Sequence, residues 1–108
     1  MSLRDEVCEP CRDGGPTLTP EELVALEPEL PGWQVVDGHH LQKRLTFPVF
    51  ARALALLNLA AAICEQQGHH ADFCVGWGYL EIAIYTHKAG GLTRADAVLA
   101  AKLGALSP

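Results

Sequence analysis

The chain has 108 residues, of which 49% are hydrophobic and 19% are charged, and its formal net charge is −5. This length suits one domain, and the composition is too apolar for intrinsic disorder, so we expect a single folded core. The eight Lys and Arg residues are scattered along the chain. This distribution excludes a concentrated basic surface for direct binding of nucleic acid or anionic lipid.

Targeting and membrane segments are not expected. Residues 1–12 mix charges and lack the apolar run of a secretory signal. The longest apolar stretch, residues 53–64, is interrupted by Asn58 and is shorter than the about 20 residues that cross a bilayer. The sequence therefore predicts a soluble cytoplasmic protein with no membrane contact.

The four cysteines favour reduced thiols over a disulfide framework, because no signal sequence accompanies them. Cys64 and Cys74 stand among apolar residues and are predicted to lie in the core. Cys8 and Cys11 form a C-x-x-C, the spacing of half a zinc site or of a redox pair. No second C-x-x-C follows, so the motif leaves metal binding open without predicting it.

The first predicted elements are an arm and a short helix. Residues 1–18 combine Gly, Pro and mixed charges, and we interpret them as an extended or mobile N-terminal arm. A single folded domain is predicted to occupy residues 19–108. Its start, Thr19-Pro20-Glu21-Glu22, is typical of a capped helix, which should end before Pro28.

A hairpin and a long helix follow. Residues 33–36 and 41–47 flank Asp37-Gly38, a dipeptide typical of a tight hairpin turn. The next segment, residues 47–67, is predicted to be a helix that stops at Gly68. Its apolar residues recur at helical spacing and trace one stripe: Phe50, Leu54, Leu57, Ala61 and Cys64.

A second hairpin and a last helix complete the chain. Residues 73–77 and 79–87 are predicted strands, the latter with alternating apolar positions. Thr93 is expected to cap a helix with Asp96 at its third position, which carries Leu99, Leu103 and Leu106. The order α-β-β-α-β-β-α predicts an α+β fold, a four-stranded antiparallel sheet with helices packed on one face.

Histidines are the residues best suited to chemistry in this chain. His69 and His70 lie where the long helix gives way to a strand. A hairpin that turns about Gly78 places position 69 opposite position 87. Because imidazoles titrate near neutral pH, His69, His70 and His87 are predicted to form one acid–base site.

Two carboxylates accompany these histidines. Glu65, one helical turn before His69, is placed to orient it, and Asp96 at the last helix start is placed to serve the same cluster. A zinc ion held by the three histidines is an alternative. Adjacent ligands on a strand point apart and no nearby thiolate completes the set, so no metal is expected.

Several of these residues have a plainer interpretation. Asp96 suits the dipole at a helix start, and Trp77 and Tyr85 suit sheet packing. The pair His39-His40 beside the first turn is interpreted as exposed and is assigned no function.

Taken together, the residues resemble the pterin-4a-carbinolamine dehydratases, also described as dimerization-cofactor-like proteins. The family pattern has an acidic residue, three positions, His-His, an aromatic residue eight positions beyond the first His, then His and Asp. The chain supplies these in order: Glu65, His69-His70, Trp77, His87 and Asp96. The similarity extends from about Thr17 to Leu106. One departure is Ala71, where the family usually has proline, and it puts the orientation of His70 in question.

The resemblance implies dehydration of 4a-hydroxytetrahydropterin, the spent cofactor of aromatic amino acid hydroxylases, to quinonoid dihydropterin. No metal or other cofactor is implied. The reaction removes the 4a hydroxyl as water and a proton from a ring nitrogen, so it needs a general acid and a general base. The resemblance also implies a functional link to an aromatic amino acid hydroxylase and a homodimer or homotetramer.

By similarity, His69 and His87 are the principal acid–base pair, while His70 positions the substrate or assists proton transfer. Glu65 would orient the first histidine, Trp77 would wall the pocket, and Asp96 would hold a neighbouring histidine or the pterin edge. Main-chain groups around Tyr85 and Thr86 would pair with the flat pterin ring. Some family members are dimerization cofactors of a transcription factor, so a binding protein without catalysis is the alternative.

Overall fold

The chain folds as one antiparallel sheet with helices against it. The computed structural model describes residues 3–8, 17–87 and 89–106. Its main elements are α1 (Pro20–Leu26), β1 (Gln34–Val36), β2 (His40–Thr46), α2 (Phe50–Gln67), β3 (Asp72–Gly76), β4 (Tyr79–Ile84) and α3 (Arg94–Gly104). Short 3-10 helices cover Leu3–Asp5 and Glu27–Glu29.

The four strands lie in the order β1-β2-β4-β3, and every neighbouring pair is antiparallel. Alternate residues of the sheet point toward the helices and are buried: Leu41, Leu80, Ile82 and Ile84. The helix α2 packs on β3, β4 and α3. The predicted α+β fold and its element order are confirmed.

Capping residues set the helix boundaries. At α1, Thr19 Oγ1 accepts from the Glu22 amide at 3.2 Å, and Glu22 Oε1 accepts from the Thr19 amide at 2.9 Å. This reciprocal pair is the capping box that the sequence predicts. At the C-terminal end of α2, Gly68 has a φ of 64°, the left-handed conformation that glycine adopts without a steric penalty.

The long helix α2 buries a different stripe from the predicted one. The residues that face the core are Ala53, Leu56, Ala60 and Cys64. Of the predicted stripe, Phe50 and Leu54 are exposed and only Cys64 is fully buried. Small residues let the helix lie close to the sheet, whereas a periodicity analysis emphasises large side chains. Phe50, Leu54 and Leu59 therefore leave apolar surface exposed on α2.

The N-terminal segment contacts the domain over its described residues 3–8. Leu3 is buried, its amide donates to Glu29 Oε1 at 2.8 Å, and the Cys8 amide donates to Gln67 Oε1 at 3.0 Å. Glu6 pairs with Arg94, which lowers the pKa of the Glu6 carboxyl and raises that of the Arg94 guanidinium. These contacts place part of the predicted arm against α3.

Cysteine placement differs from the prediction at one position. Cys64 is buried as expected, but Cys74 is exposed, because it points to the sheet face that no helix covers. Cys11 lies outside the described residues. Among the described helices, none is long and apolar enough to cross a membrane.

Candidate active site

The polar residues singled out from the sequence gather mostly at one end of the sheet. This end is formed by the start of β2, the start of β3, the residues after β4 and the start of α3. His69, His70 and His87 all lie here, but each contacts a different carboxylate. The histidines are neighbours without forming one hydrogen-bonded set.

The centre of the site is Asp96 in the first turn of α3. Its side chain is fully buried, and its Oδ2 accepts from the Thr93 amide and from Thr86 Oγ1, both at 2.8 Å. Its other oxygen, Oδ1, lies 2.6 Å from His69 Nε2. A carboxylate buried away from water is unfavourable unless hydrogen-bond donors surround it. Thr86, Thr93 and His69 provide these donors for Asp96.

This contact determines which nitrogen of His69 carries hydrogen. An ionised carboxylate only accepts hydrogen bonds, so His69 Nε2 is the donor to Asp96. In the neutral imidazole, Nδ1 is then left with a lone pair. The side chain of His69 is 17% exposed, and no described residue makes a hydrogen bond to Nδ1. His69 can therefore exchange a proton with a bound molecule through Nδ1.

Glu65 contacts His70 and not His69. Its Oε1 lies 3.1 Å from His70 Nε2, and both side chains are largely exposed. The prediction that Glu65 orients His69 assumed continued helical spacing, but the left-handed Gly68 ends α2 one residue earlier. The chain then turns His69 toward α3 and His70 back toward Glu65.

His87 lies on the opposite face of the sheet from Asp96. Its Nε2 is 3.9 Å from Asp72 Oδ2, a charge contact beyond hydrogen-bond distance. Its ring stacks on Tyr85, with centroids 4.2 Å apart and an interplanar angle of 28°. The side chain is 65% exposed, so it is accessible from the solvent.

The direct pairing of positions 69 and 87 is corrected by the register of the second hairpin. Gly76 pairs with Tyr79 and Asp72 pairs with Ala83, so the loop consists of Trp77 and Gly78. This register differs by one residue from a turn centred on Gly78, and a shift by one residue moves every side chain to the other face. Thr86, in place of His87, therefore shares Asp96 with His69.

Two further predicted residues lie at different places. Tyr85 is half-buried on the outer face beside His87. Trp77 is exposed in the β3–β4 loop, at the opposite end of β3 from Asp72. Five residues of strand at ~3.4 Å each separate them by roughly 17 Å. Within one chain, Trp77 therefore does not reach the histidine end of the sheet.

Sequence reasoning missed the part that four residues play in this region. Thr93 joins the Asp96 network, Asp72 contacts His87, and His39-His40 contacts Tyr85. The pairing of Leu41 with Ile84 brings the turn before β2 beside the end of β4. A correct register would have shown that Asp72 and His87 share the outer face, but no local pattern marks His39.

The chemistry of the site does not indicate a bound metal. The described residues contain no group of three or more His, Cys, Asp or Glu side chains that could hold a metal ion. Cys8 lies against the start of α3, with its Sγ 3.6 Å from the Ala95 carbonyl oxygen. Burial raises the pKa of the Cys8 thiol to about 11, which disfavours the thiolate that zinc requires.

Comparison with known proteins identifies a family. The family model described as "Pterin 4 alpha carbinolamine dehydratase" matches residues 16–106. A Rubrobacter xylanophilus protein named "Putative pterin-4-alpha-carbinolamine dehydratase" is 47% identical over 104 residues, which cover 96% of this chain and 97% of that protein. A Rickettsia canadensis protein of the same name is 43% identical over 102 residues, which cover 94% of each.

A solved structure has the same fold. It is described as a transcriptional coactivator/pterin dehydratase from Brucella melitensis. The two structures superpose with a TM-score of 0.77 at 28% sequence identity, over 83% of this chain and 97% of that one.

Proposed function

Because the chain belongs to the pterin 4 alpha carbinolamine dehydratase family, we propose that it dehydrates 4a-hydroxytetrahydropterin to quinonoid dihydropterin. The reaction breaks the bond between the 4a carbon and its hydroxyl, which leaves as water, and takes a proton from a ring nitrogen. One group must deliver a proton to the hydroxyl and another must accept the ring proton. Imidazoles perform both tasks near neutral pH.

The observation that carries this proposal is the contact between His69 Nε2 and Asp96 Oδ1 at 2.6 Å. It supports His69 as the general base, because Asp96 fixes the tautomer that leaves Nδ1 free to accept a proton. It also stabilises the imidazolium that forms when His69 takes that proton. The Thr93 amide donates to Asp96 Oδ2 at the start of α3. The carboxylate that orients His69 is therefore fixed to a helix.

His87 and His70 are the candidates for the general acid. His87 is exposed, and its Nε2 lies 3.9 Å from Asp72 Oδ2. His70 is exposed beside Glu65. We assign proton delivery to His87 and substrate positioning to His70.

Main-chain groups around Tyr85 are proposed to pair with the edge of the pterin ring. The main-chain groups of Thr86, also expected to do so, are already engaged: its amide donates to the Gly91 carbonyl at 2.9 Å, and its carbonyl accepts from the Gly90 amide at 3.0 Å.

The test is the rate of 4a-hydroxytetrahydropterin loss above the uncatalysed rate. We expect His69→Ala and His87→Ala to lower kcat by about 10²–10⁴-fold, the usual contribution of a general acid or base. His70→Ala should mainly raise KM. A chelator should leave the wild-type rate unchanged. A wild-type rate equal to the uncatalysed rate would remove the enzymatic proposal.

A second candidate function is binding to a partner protein. It is favoured by the exposed apolar side chains of α2, among them Phe50, Leu54 and Leu59. The Brucella melitensis protein described as a coactivator has the same fold. Recovery of one stoichiometric regulator from cell extract, unaffected by His69→Ala, would favour this function over catalysis.

Two of these side chains, Phe50 and Leu54, lie one turn apart on α2 and support association of identical chains. We propose a homodimer or homotetramer, because symmetric self-association buries one apolar surface against its own copy. A functional link to an aromatic amino acid hydroxylase follows from the proposed substrate, which such enzymes release.

A further inference from the structure

The orientation of His87 depends on few contacts. Its side chain is 65% exposed, and its nearest carboxylate oxygen, on Asp72, is 3.9 Å away. Among the described residues, the ring stacked against it is that of Tyr85, at 4.2 Å between centroids. Since an exposed imidazole turns freely unless a neighbour restrains it, the direction of the His87 ring follows from the position of Tyr85.

Tyr85 is in turn restrained by the turn between β1 and β2. The His39 ring lies 4.5 Å from the Tyr85 ring at an interplanar angle of 44°, and the His40 ring lies 6.3 Å away. The two histidines contact each other through their Nδ1 atoms, which are 3.1 Å apart. One of these nitrogens donates to the other, which ties the His39 ring to a residue of β2.

The backbone places His39 where this contact requires it. Asp37 and Gly38 have φ values of 54° and 64°, and the His39 amide donates to the Val36 carbonyl at 2.9 Å. Because this hydrogen bond is made by the main chain, the turn does not depend on the imidazole. The His39 side chain is thus free to serve the ring contacts on the outer face of the sheet.

We propose that His39 is a positioning residue for the dehydration, which acts through Tyr85 to hold the ring of His87 toward the substrate. The proposal rests on the proposed function, in which His87 delivers a proton. Proton transfer requires an aligned donor, and loss of alignment lowers the rate even where the substrate still binds. His39 itself touches neither the reacting atoms nor His87.

The test compares His39→Ala, His39→Phe and, as a matched control on the same hairpin, Gln34→Ala. We expect His39→Ala to lower kcat by roughly 5–20-fold, as misalignment of one catalytic group does, with KM within about twofold. His39→Phe keeps a ring against Tyr85 but loses the Nδ1 contact with His40, so its kcat should lie between those of His39→Ala and wild type. Gln34, exposed at the start of β1, should leave both constants unchanged.

A second readout is independent of activity. The stacked Tyr85 ring shifts the NMR signals of the His87 ring protons, so these signals should move in His39→Ala and move less in His39→Phe. Unchanged His87 signals in His39→Ala overturn the proposal, as does a kcat that falls equally in the Phe variant. An inactive wild type, or a His87→Ala variant with wild-type kcat, would remove proton delivery by His87. The NMR comparison would then still decide whether His39 orients the His87 ring.

Discussion

Asp96 combines two tasks at the scale of a single residue. Its Oδ2 accepts from the Thr93 amide and so caps α3, while its Oδ1 holds His69. The capping task was readable from the sequence, because Thr93 precedes a helix with Asp96 at its third position. The histidine contact was only a candidate, because it joins residues 27 positions apart.

Replacement of Asp96 with asparagine should separate these tasks. The amide oxygen can still accept from Thr86 and Thr93, whereas the amide nitrogen facing His69 donates and reverses its tautomer. We expect kcat of Asp96→Asn to fall by about 10²–10⁴-fold, with the free energy of unfolding lowered by about 1 kcal/mol. Steady-state kinetics and urea unfolding measure the two effects. An Asp96→Asn enzyme with wild-type kcat would contradict the assigned tautomer.

The buried thiol of Cys8 gives a pH-dependent prediction. Burial raises its pKa from 9.0 to about 11 in the folded protein. Above about pH 9 the unfolded chain releases this proton first, so the free energy of unfolding decreases as pH rises to about 11. The loss should reach at most about 2–3 kcal/mol, and it is absent below pH 9.

Urea unfolding between about pH 8 and 11 measures how the free energy of unfolding depends on pH in wild type and in Cys8→Ala. The wild type should lose more stability than the variant as the pH rises. Cys64, whose pKa burial also raises, is present in both proteins and cancels in the comparison. Parallel stability curves for the two proteins would show that Cys8 is not protected from ionisation.

At the scale of elements, the sequence predicted types better than registers. Gly78 has a φ of 83° and was recognisable as a turn glycine, but a turn glycine occupies either central position of a two-residue loop. The position of Gly78 in the loop sets the register, and the register decides whether Thr86 or His87 lies opposite position 69. The alternation of Leu80, Ile82 and Ile84, which are buried on the helices, favours Thr86 on the face toward the helices.

The exposed site partners could not be predicted for a different reason. His39 and Tyr85 are 46 positions apart and meet because β2 pairs with β4 and not with β3. Strand order in a four-stranded sheet depends on how the helices cover it, which hairpin signals do not encode. The ring contacts around His87 therefore became visible only in the folded chain.

The N-terminal 3-10 helix is an element whose contribution can be measured with a matched pair. Leu3 is 1% exposed against α3, whereas Val7 is 66% exposed. We expect Leu3→Ala to lower the free energy of unfolding by about 2–5 kcal/mol, as for other buried leucines. Val7→Ala should change it by less than about 0.5 kcal/mol. Equal effects in chemical unfolding would mean that this segment does not dock stably.

At the scale of the whole molecule, the helix α2 separates two surfaces. One side packs on the sheet through Ala53, Leu56 and Ala60, and the helix ends beside the histidines of the site. The other side leaves an apolar flank in the isolated chain. Of the predicted stripe, Phe50 and Leu54 lie on this flank, whereas Leu57 and Cys64 pack in the core. The periodicity of the large side chains therefore does not by itself separate the two surfaces.

Self-association through that flank is the prediction at this scale. Leu54 is 38% exposed in the isolated chain, next to Phe50 one turn away. In a homodimer or homotetramer, a charge at this position would be buried without a partner, which costs several kcal/mol. Leu54→Glu should therefore shift the mass measured by light scattering toward the monomer and leave the circular dichroism spectrum unchanged. The control is Val24→Glu, an exposed apolar position on α1, which should keep the wild-type mass. A wild-type protein that is monomeric at high concentration, or a Leu54→Glu variant of unchanged mass, would exclude this flank as the contact between copies.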